Sequence, residues 1–356
     1  MKTESIYFCD YSIGEAPYGE VPAVCGPFGS RILLCGGEKA LAAGLPRLEN
    51  ALAGSGFSLV TEVFHGDCTY EGIHRLAGRA EEEKADMIFG MGGGKALDTA
   101  KGAAYEAGLP VFTFPTIPAT CAATTALSVV YREDGSFDSF YFYDRPARHC
   151  FLDLTVIAHA PAKYLQAGMG DTVGKYFECH FAARGDKLSH SSALGREISN
   201  MCYGPLLEHG ARALSDCKAG RVSHALSQAV LANVVSTGLV SLMVLDDYNC
   251  AVAHSVYYGL VLLPGFEEAN LHGNVVAYGV LVQLLIDGER EEALRLKAFL
   301  KELGIRTTLA QMGVSLDREA LNAVLKDIVT EPDMNHIPYP VTEKMIYDAM
   351  VEVEVL

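Results

Sequence analysis

Between Arg31 and Phe114, short apolar runs alternate with helical stretches, and one run ends in a string of glycines. The apolar runs lie at 31–35, 57–63, 86–90 and 110–114. Helical patterning fills 38–53 and 70–85, the latter with Glu81, Glu82 and Glu83 on a solvated face. A βαβα order of this kind is satisfied by a parallel sheet with helices on its faces. Further strand-like segments follow at 127–131, 140–144 and 149–157. After about Ala160 helical periodicity takes over and strand-like runs disappear. The expectation is an α/β domain over 1–159 and an all-helical domain over 160–356.

The length of 356 residues suits two domains, each with its own core. Half the residues are apolar and a fifth are charged, as in a soluble globular chain. A net charge of −16 gives no attraction to nucleic acid or an anionic membrane, which sets both aside as partners. A local basic pocket for a phosphate or carboxylate stays open. The ten cysteines form no CxxC pair and match no zinc-ribbon or disulfide spacing. With the polar N-terminus, Met1 to Asp10, they suggest reduced thiols in a cytoplasmic enzyme. The most apolar stretch, 225–245, includes Ser227, Gln228, Asn233, Ser236, Thr237 and Ser241, and reads as a core helix rather than a membrane span.

The glycine string is Gly90-Met-Gly-Gly-Gly-Lys95-Ala-Leu-Asp98-Thr-Ala-Lys101, placed where a strand ends and a helix begins. Glycines let backbone approach a diphosphate, and the free N–H groups of a helix start bind anions. A tight strand-to-helix turn is the plainer alternative. The whole string resembles the G-x-GGG-K-x-x-D-x-A-K signature of the iron-containing alcohol dehydrogenase and glycerol dehydrogenase families. The next segment, from Pro115-Thr116 through Thr125 and Leu127-Ser-Val-Val-Tyr131, is similar to the loop and strand that meet the nicotinamide half of the coenzyme there. The resemblance makes Gly93, Gly94, Lys95, Asp98, Thr116, Thr125, Leu127 and Tyr131 coenzyme-binding candidates.

Three patterns in the second half resemble the same families' metal site. They are Gly170-Asp171-Thr-Val-Gly-Lys175-Tyr-Phe-Glu178, Ala253-His254-Ser-Val-Tyr-Tyr-Gly259 and Leu271-His272-Gly273-Asn-Val-Val-Ala277-Tyr-Gly279. One carboxylate and two imidazoles, Asp171, His254 and His272, would leave coordination positions open on a zinc or iron ion. The other nine histidines lack such a context, and only His336 is kept under watch. The resemblance runs from about Arg31 to about Met350. It implies a Rossmann-like sheet domain followed by a helical domain, as in the dehydroquinate synthase-like fold, with coenzyme and metal in the cleft between.

Three positions depart from the pattern. Cys121 stands where glycerol dehydrogenases place a substrate-binding Asp, and the surrounding string is closer to the hydroxycarboxylate dehydrogenase A group. Cys121 either touches substrate, fills space, or adds a metal ligand. Lys175 lies one helical turn after Asp171, where iron-dependent members carry a His ligand; it either receives a substrate carboxylate or pairs with Asp171 or Glu178. Gly37 replaces the Asp that holds the adenosine ribose, and Lys39 could meet a 2′-phosphate, which favours NADPH over NADH unless Glu38 serves the ribose.

The reading is a metal-dependent oxidoreductase moving hydride between NAD(P)H and a small 2-oxo acid, with Lys175 and Cys121 at the substrate. An NAD-dependent glycerol or polyol dehydrogenase is the alternative. A dehydroquinate synthase-like cyclising lyase, or a dinucleotide-binding protein without catalysis, is the more distant rival. Homo-oligomerisation is implied by the resemblance alone.

Overall fold

The computed structural model describes residues 6–356. The chain forms two compact units. The first extends to Ala162 and includes Ser215–Val230; the second comprises Lys163–Leu214 and Leu231–Leu356. The segment 215–230 thus groups by contact with the first unit, although it lies within the 160–356 stretch read as helical.

In the first unit the strands are β1 (Asp10–Gly14), β2 (Arg31–Gly37), β3 (Ser58–Phe64), β4 (Met87–Gly92), β5 (Val111–Pro115), β6 (Leu127–Tyr131), β7 (Phe137–Phe142) and β8 (His149–Asp153). Six form one sheet in the order β1-β8-β5-β4-β2-β3, and its five pairings are all parallel. The helices α1 (Glu38–Leu52), α2 (Tyr70–Glu82) and α3 (Gly94–Glu106) make the crossovers. Alternation along the central strands sends side chains to opposite faces. Leu34, Phe89, Phe112 and Phe114 pack with Leu41 and Leu48 of α1, while Leu33 and Ile88 pack with Leu76 of α2 and Ala100 and Ala103 of α3. All six residues of β4 are buried, as an inner parallel strand requires. Each such large apolar side chain contributes about 1.5–3 kcal/mol on burial.

Two segments differ from the sequence reading. The run 149–157 is a strand only to Asp153. The Asp153 carboxylate then accepts from the backbone N–H of Thr155 (2.9 Å) and Val156 (3.2 Å), which starts the short helix Leu154–Ala158. Strand β1 carries no apolar run because it is a half-exposed edge, paired on one side with β8. Strands β6 and β7 form their own antiparallel hairpin.

From β2 the chain goes outward to β3, then crosses to β4 on the other side of β2. Loops leaving the carboxyl ends of β2 and β4 therefore diverge, which opens a crevice at this switch point. Gly37 and the glycine turn both lie there.

The second unit is helical. Its site is built on α4 (Ala162–Ala182), α5 (Val252–Val261) and α6 (His272–Ile286). Helix α6 is buried from Val275 through Leu284, so it is a central helix rather than an amphipathic surface one. Glycines set its spacing. A Cβ on Gly170 of α4 would stand 2.4 Å from the Gly273 carbonyl oxygen, and one on Gly273 would stand 1.9 Å from that of Ala167. Backbone thus packs on backbone where α4 meets α6. The helical run His224–Met243 is long and apolar enough to cross a membrane, yet 56% of that window is buried inside the protein, in line with a core helix.

Candidate active site

Asp171 sits mid-way along α4, His254 in the first turn of α5 and His272 at the first position of α6. Their ligand atoms all lie within 4.8 Å of one another. Asp171 Oδ1 is 3.6 Å from His254 Nε2 and 3.3 Å from His272 Nε2. Among the described residues this is the one group of three or more metal-ligating side chains so gathered. Cys121 and His336 lie outside it. His336 Nε2 instead pairs with Asp186 Oδ2 at 2.7 Å, an oxygen that also accepts from the Tyr248 hydroxyl.

The electrostatics suit a cation. Burial alone would raise the Asp171 carboxyl, but hydrogen bonds from His254 and His272, and their charges, hold it far below the usual carboxylate range. Burial would lower His254, yet the Cys250 sulfur and the carboxylates of Glu178 and Asp171 hold it well above the usual imidazole value. Two carboxylates facing the one imidazole, Asp171 and Glu178, give this place the negative charge that a divalent ion needs. His254 is 10% exposed and Asp171 15%, whereas His272 is 37% exposed, so the donor set is closed on one side and accessible on the other. That fits a catalytic ion with open positions better than a sealed structural one.

Partners fix the donors. The wholly buried Glu178 accepts from the N–H of Ala251 (2.7 Å) and of His254 (2.9 Å) through Oε1, and Oε2 lies 2.5 Å from His254 Nδ1. The Tyr257 ring meets His272 edge-to-face, with centroids 4.3 Å apart. Lys175 is 9% exposed; its Nζ donates to the backbone oxygen (2.9 Å) and side-chain oxygen (3.0 Å) of Asn249. Its ammonium is thus engaged by the turn that leads into α5. Asp333 feels the charges of His254, Glu178 and Lys175, and burial pushes its carboxyl up to about 6. Glu178 appeared in the sequence only as a possible partner of Lys175. Asn249, Tyr257 and Asp333 carried no sequence signal, because their partners are distant in the chain or embedded in aromatic-rich helices.

The coenzyme candidates all belong to the first unit. Gly92 ends β4 at φ +152°, a backbone region that favours glycine. Gly93 caps α3, and Gly94 and Lys95 form its first turn, so unpaired N–H groups and the positive helix end are available to a diphosphate. A Cβ on Gly93 would stand 2.8 Å from Ile117 Cδ1. Thr116 follows β5, its N–H bonded to the Gly92 carbonyl at 3.0 Å. Lys95 pairs with Asp67 and lies over the Tyr131 ring, 5.1 Å from its centroid. Gly37 caps α1 at the end of β2, and Lys39 is exposed one residue into that helix.

Two candidates, Asp98 and Thr125, face inward. Asp98 is 6% exposed; it pairs with the buried Lys101 at 2.9 Å and accepts from Val129 N–H at 3.2 Å. Lys101 Nζ also donates to the Thr125 hydroxyl (3.1 Å) and to the Leu127 carbonyl oxygen. Asp98 and Thr125 thus fasten strand β6 to helix α3 beneath the turn, a network for which Lys101 was the missed member. Cys121 lies half-buried in the loop between β5 and β6, its carbonyl accepting from Thr124 N–H at 2.9 Å.

Comparison with known proteins adds identity to this geometry. The family model for iron-containing alcohol dehydrogenases matches residues 10–153. The glycerol dehydrogenase of Thermotoga maritima is 35% identical over 315 residues, 85% of each chain. The chain belongs to the iron-containing alcohol dehydrogenase family, in its glycerol dehydrogenase-like branch. It is a dehydrogenase acting on CH–OH groups. The glycolaldehyde reductase of Halobacterium salinarum is 33% identical over 85% of this chain and 84% of its own. Hydroxycarboxylate dehydrogenase A of Escherichia coli is 31% identical over 91% of this chain and 90% of its own. It is therefore one distant relative among several, and the closer likeness of the Cys121 string to that group does not extend to the chain. The crystal structure of glycerol dehydrogenase from Schizosaccharomyces pombe superposes with a TM-score of 0.89 at 25% identity, covering all of this chain and 91% of that one.

Proposed function

We propose that this chain is a metal-dependent, nicotinamide-linked dehydrogenase of small neutral polyols and their hydroxy-carbonyl counterparts, with glycerol and dihydroxyacetone as the reference pair. The observation that carries the choice of substrate is Lys175. The sequence reading toward a 2-oxo acid needed its ammonium as a receptor for a carboxylate, and that ammonium is held by two oxygens of Asn249. The names of the relatives at 35% and 33% identity, a glycerol dehydrogenase and a glycolaldehyde reductase, support the same substrate class.

In this reading Asp171, His254 and His272 hold the ion, and Gly93, Gly94, Lys95, Thr116 and Tyr131 receive the coenzyme. When bound, a divalent ion such as zinc or iron supplies Lewis acidity toward the substrate oxygen, and the nicotinamide supplies or takes the hydride. The chain's own work is placement. Glu178 keeps Nδ1 of His254 occupied, Tyr257 backs the ring of His272, and the start of α3 offers N–H groups to the diphosphate. Gly37 places no carboxylate at the end of β2 itself, which admits NADPH beside NADH. Homo-oligomeric assembly belongs to the same proposal, and light scattering on the purified protein tests it.

A second reading, reduction of 2-oxo acids, is favoured by Cys121, which removes a polyol-binding carboxylate, and by the relative at 31% identity. Steady-state kcat/KM for glycerol and dihydroxyacetone against a series of 2-oxo acids decides between them. Higher values for the neutral substrates support the polyol reading; higher values for the acids reverse it.

A further inference from the structure

The geometry points to Glu178 as the positioning residue of the metal centre: one buried carboxylate that starts helix α5 and fixes the ring orientation and tautomer of His254. The inference rests on reading Asp171, His254 and His272 as the metal ligands.

Glu178 follows Asp171 by seven residues on α4, so the two point to the same side of the helix two turns apart. It is wholly buried, where a carboxylate without partners would be costly. All the described partners come from one short stretch of α5 and the residue before it. The N–H of Ala251 at 2.7 Å and of His254 at 2.9 Å reach Oε1; both lie at the helix start, where backbone donors otherwise lack acceptors. No side chain of α5's own N-cap residue, Ala251, can serve them. The other oxygen, Oε2, lies 2.5 Å from His254 Nδ1. A carboxylate can only accept, so the imidazole must carry its proton on Nδ1. Nε2, the atom that faces Asp171 Oδ1 at 3.6 Å, is then the one that would offer its lone pair to an ion taking the place of the proton shared with Asp171. The ligand-competent tautomer is thus imposed from α4, the helix that also supplies Asp171. Carboxylates so placed orient a ligand and raise its basicity.

Glu178→Gln separates this role from a merely structural one. The amide oxygen can still accept from Ala251 and His254 N–H, so the start of α5 is kept. The amide NH2 then faces Nδ1 as a donor, and the imidazole shifts its proton to Nε2, where it blocks the metal. The metal-free protein is titrated with zinc against a chromophoric chelator, for wild type, Glu178→Gln and His254→Ala, with folding followed by circular dichroism. Glu178→Gln is expected to bind zinc roughly 10–100-fold more weakly while staying folded. A loss below about threefold in a folded variant overturns the inference, while loss of binding in His254→Ala still upholds the ligand assignment. Wild-type affinity in His254→Ala overturns that assignment itself. Should Glu178→Gln not fold, proton NMR of the zinc-loaded wild type decides. A far-downfield Nδ1–H resonance that is missing from His254→Ala in the same buffer supports the role of Glu178, and its absence from wild type overturns it.

Discussion

Lys175 and Gly37 show how far a single position can direct chemistry. Lys175 holds both oxygens of Asn249 at the entry to α5. Lys175→Met leaves those half-buried acceptors without their donor, at a cost of about 1 kcal/mol in stability. Because the turn supports His254, kcat/KM should fall by the same factor for dihydroxyacetone and for a 2-oxo acid. A loss confined to the acid would return Lys175 to the substrate. Gly37 makes the second case. Gly37→Asp places a carboxylate at the end of β2, where it accepts from a ribose 2′-hydroxyl and repels a 2′-phosphate. The ratio of kcat/KM for NADH over NADPH should rise roughly tenfold or more. An unchanged ratio would place ribose recognition elsewhere, Glu38 being the nearest carboxylate. The grouping of Asp171, His254 and His272 was legible in the sequence because each sits in a run of small residues that resembles a family pattern. Asn249 was not, since its bond to Lys175 joins positions 74 residues apart. A thiol or ammonium at a familiar position says which group is present and leaves open what it touches.

The helices meet through glycine where the site is made. Gly273 lies one residue after His272, and a Cβ there would sit 1.9 Å from the Ala167 carbonyl oxygen and 2.9 Å from Asp171 Cβ. Gly273→Ala therefore must push α6 away from α4, which costs about 1–3 kcal/mol in overpacking and separates His272 from Asp171. The expected result is a lower unfolding midpoint together with weaker zinc binding. Gly78→Ala is the control. It lies in α2 with open space around it and should be neutral or stabilising by up to about 1 kcal/mol. Equal behaviour of the two variants would contradict the close packing of α4 on α6. At this scale the sequence showed the parallel sheet and the helical half clearly, because apolar runs and helical periodicity are local signals. It did not show β1, which is a half-exposed edge, or the end of β8 at Asp153, where a side-chain cap outweighs the β-branched residues Thr155, Val156 and Ile157.

The two kinds of candidate are divided between the two units. Every coenzyme candidate, from Gly37 to Tyr131, belongs to the first, and all three candidate metal ligands belong to the second. Each half is held by bonds inside its own unit: Asp98 with Lys101 and Val129 in one, Glu178 with Ala251 and His254 in the other. Removing a ligand should therefore leave the coenzyme turn as it was. His254→Ala deletes one of three donors, and its loss leaves Glu178 facing an empty place in a buried site. Zinc content after dialysis should fall to near background. Turnover depends on the several kcal/mol that a Lewis acid supplies, so it should fall by roughly a thousandfold or more. The dissociation constant for NADH, followed by nicotinamide fluorescence in the absence of substrate, should stay within about twofold of wild type, because none of the groups that build the glycine turn has been touched. Retained turnover in a zinc-free variant would remove the metal from the chemistry. Lost coenzyme binding in a folded variant would show that metal and coenzyme binding are coupled.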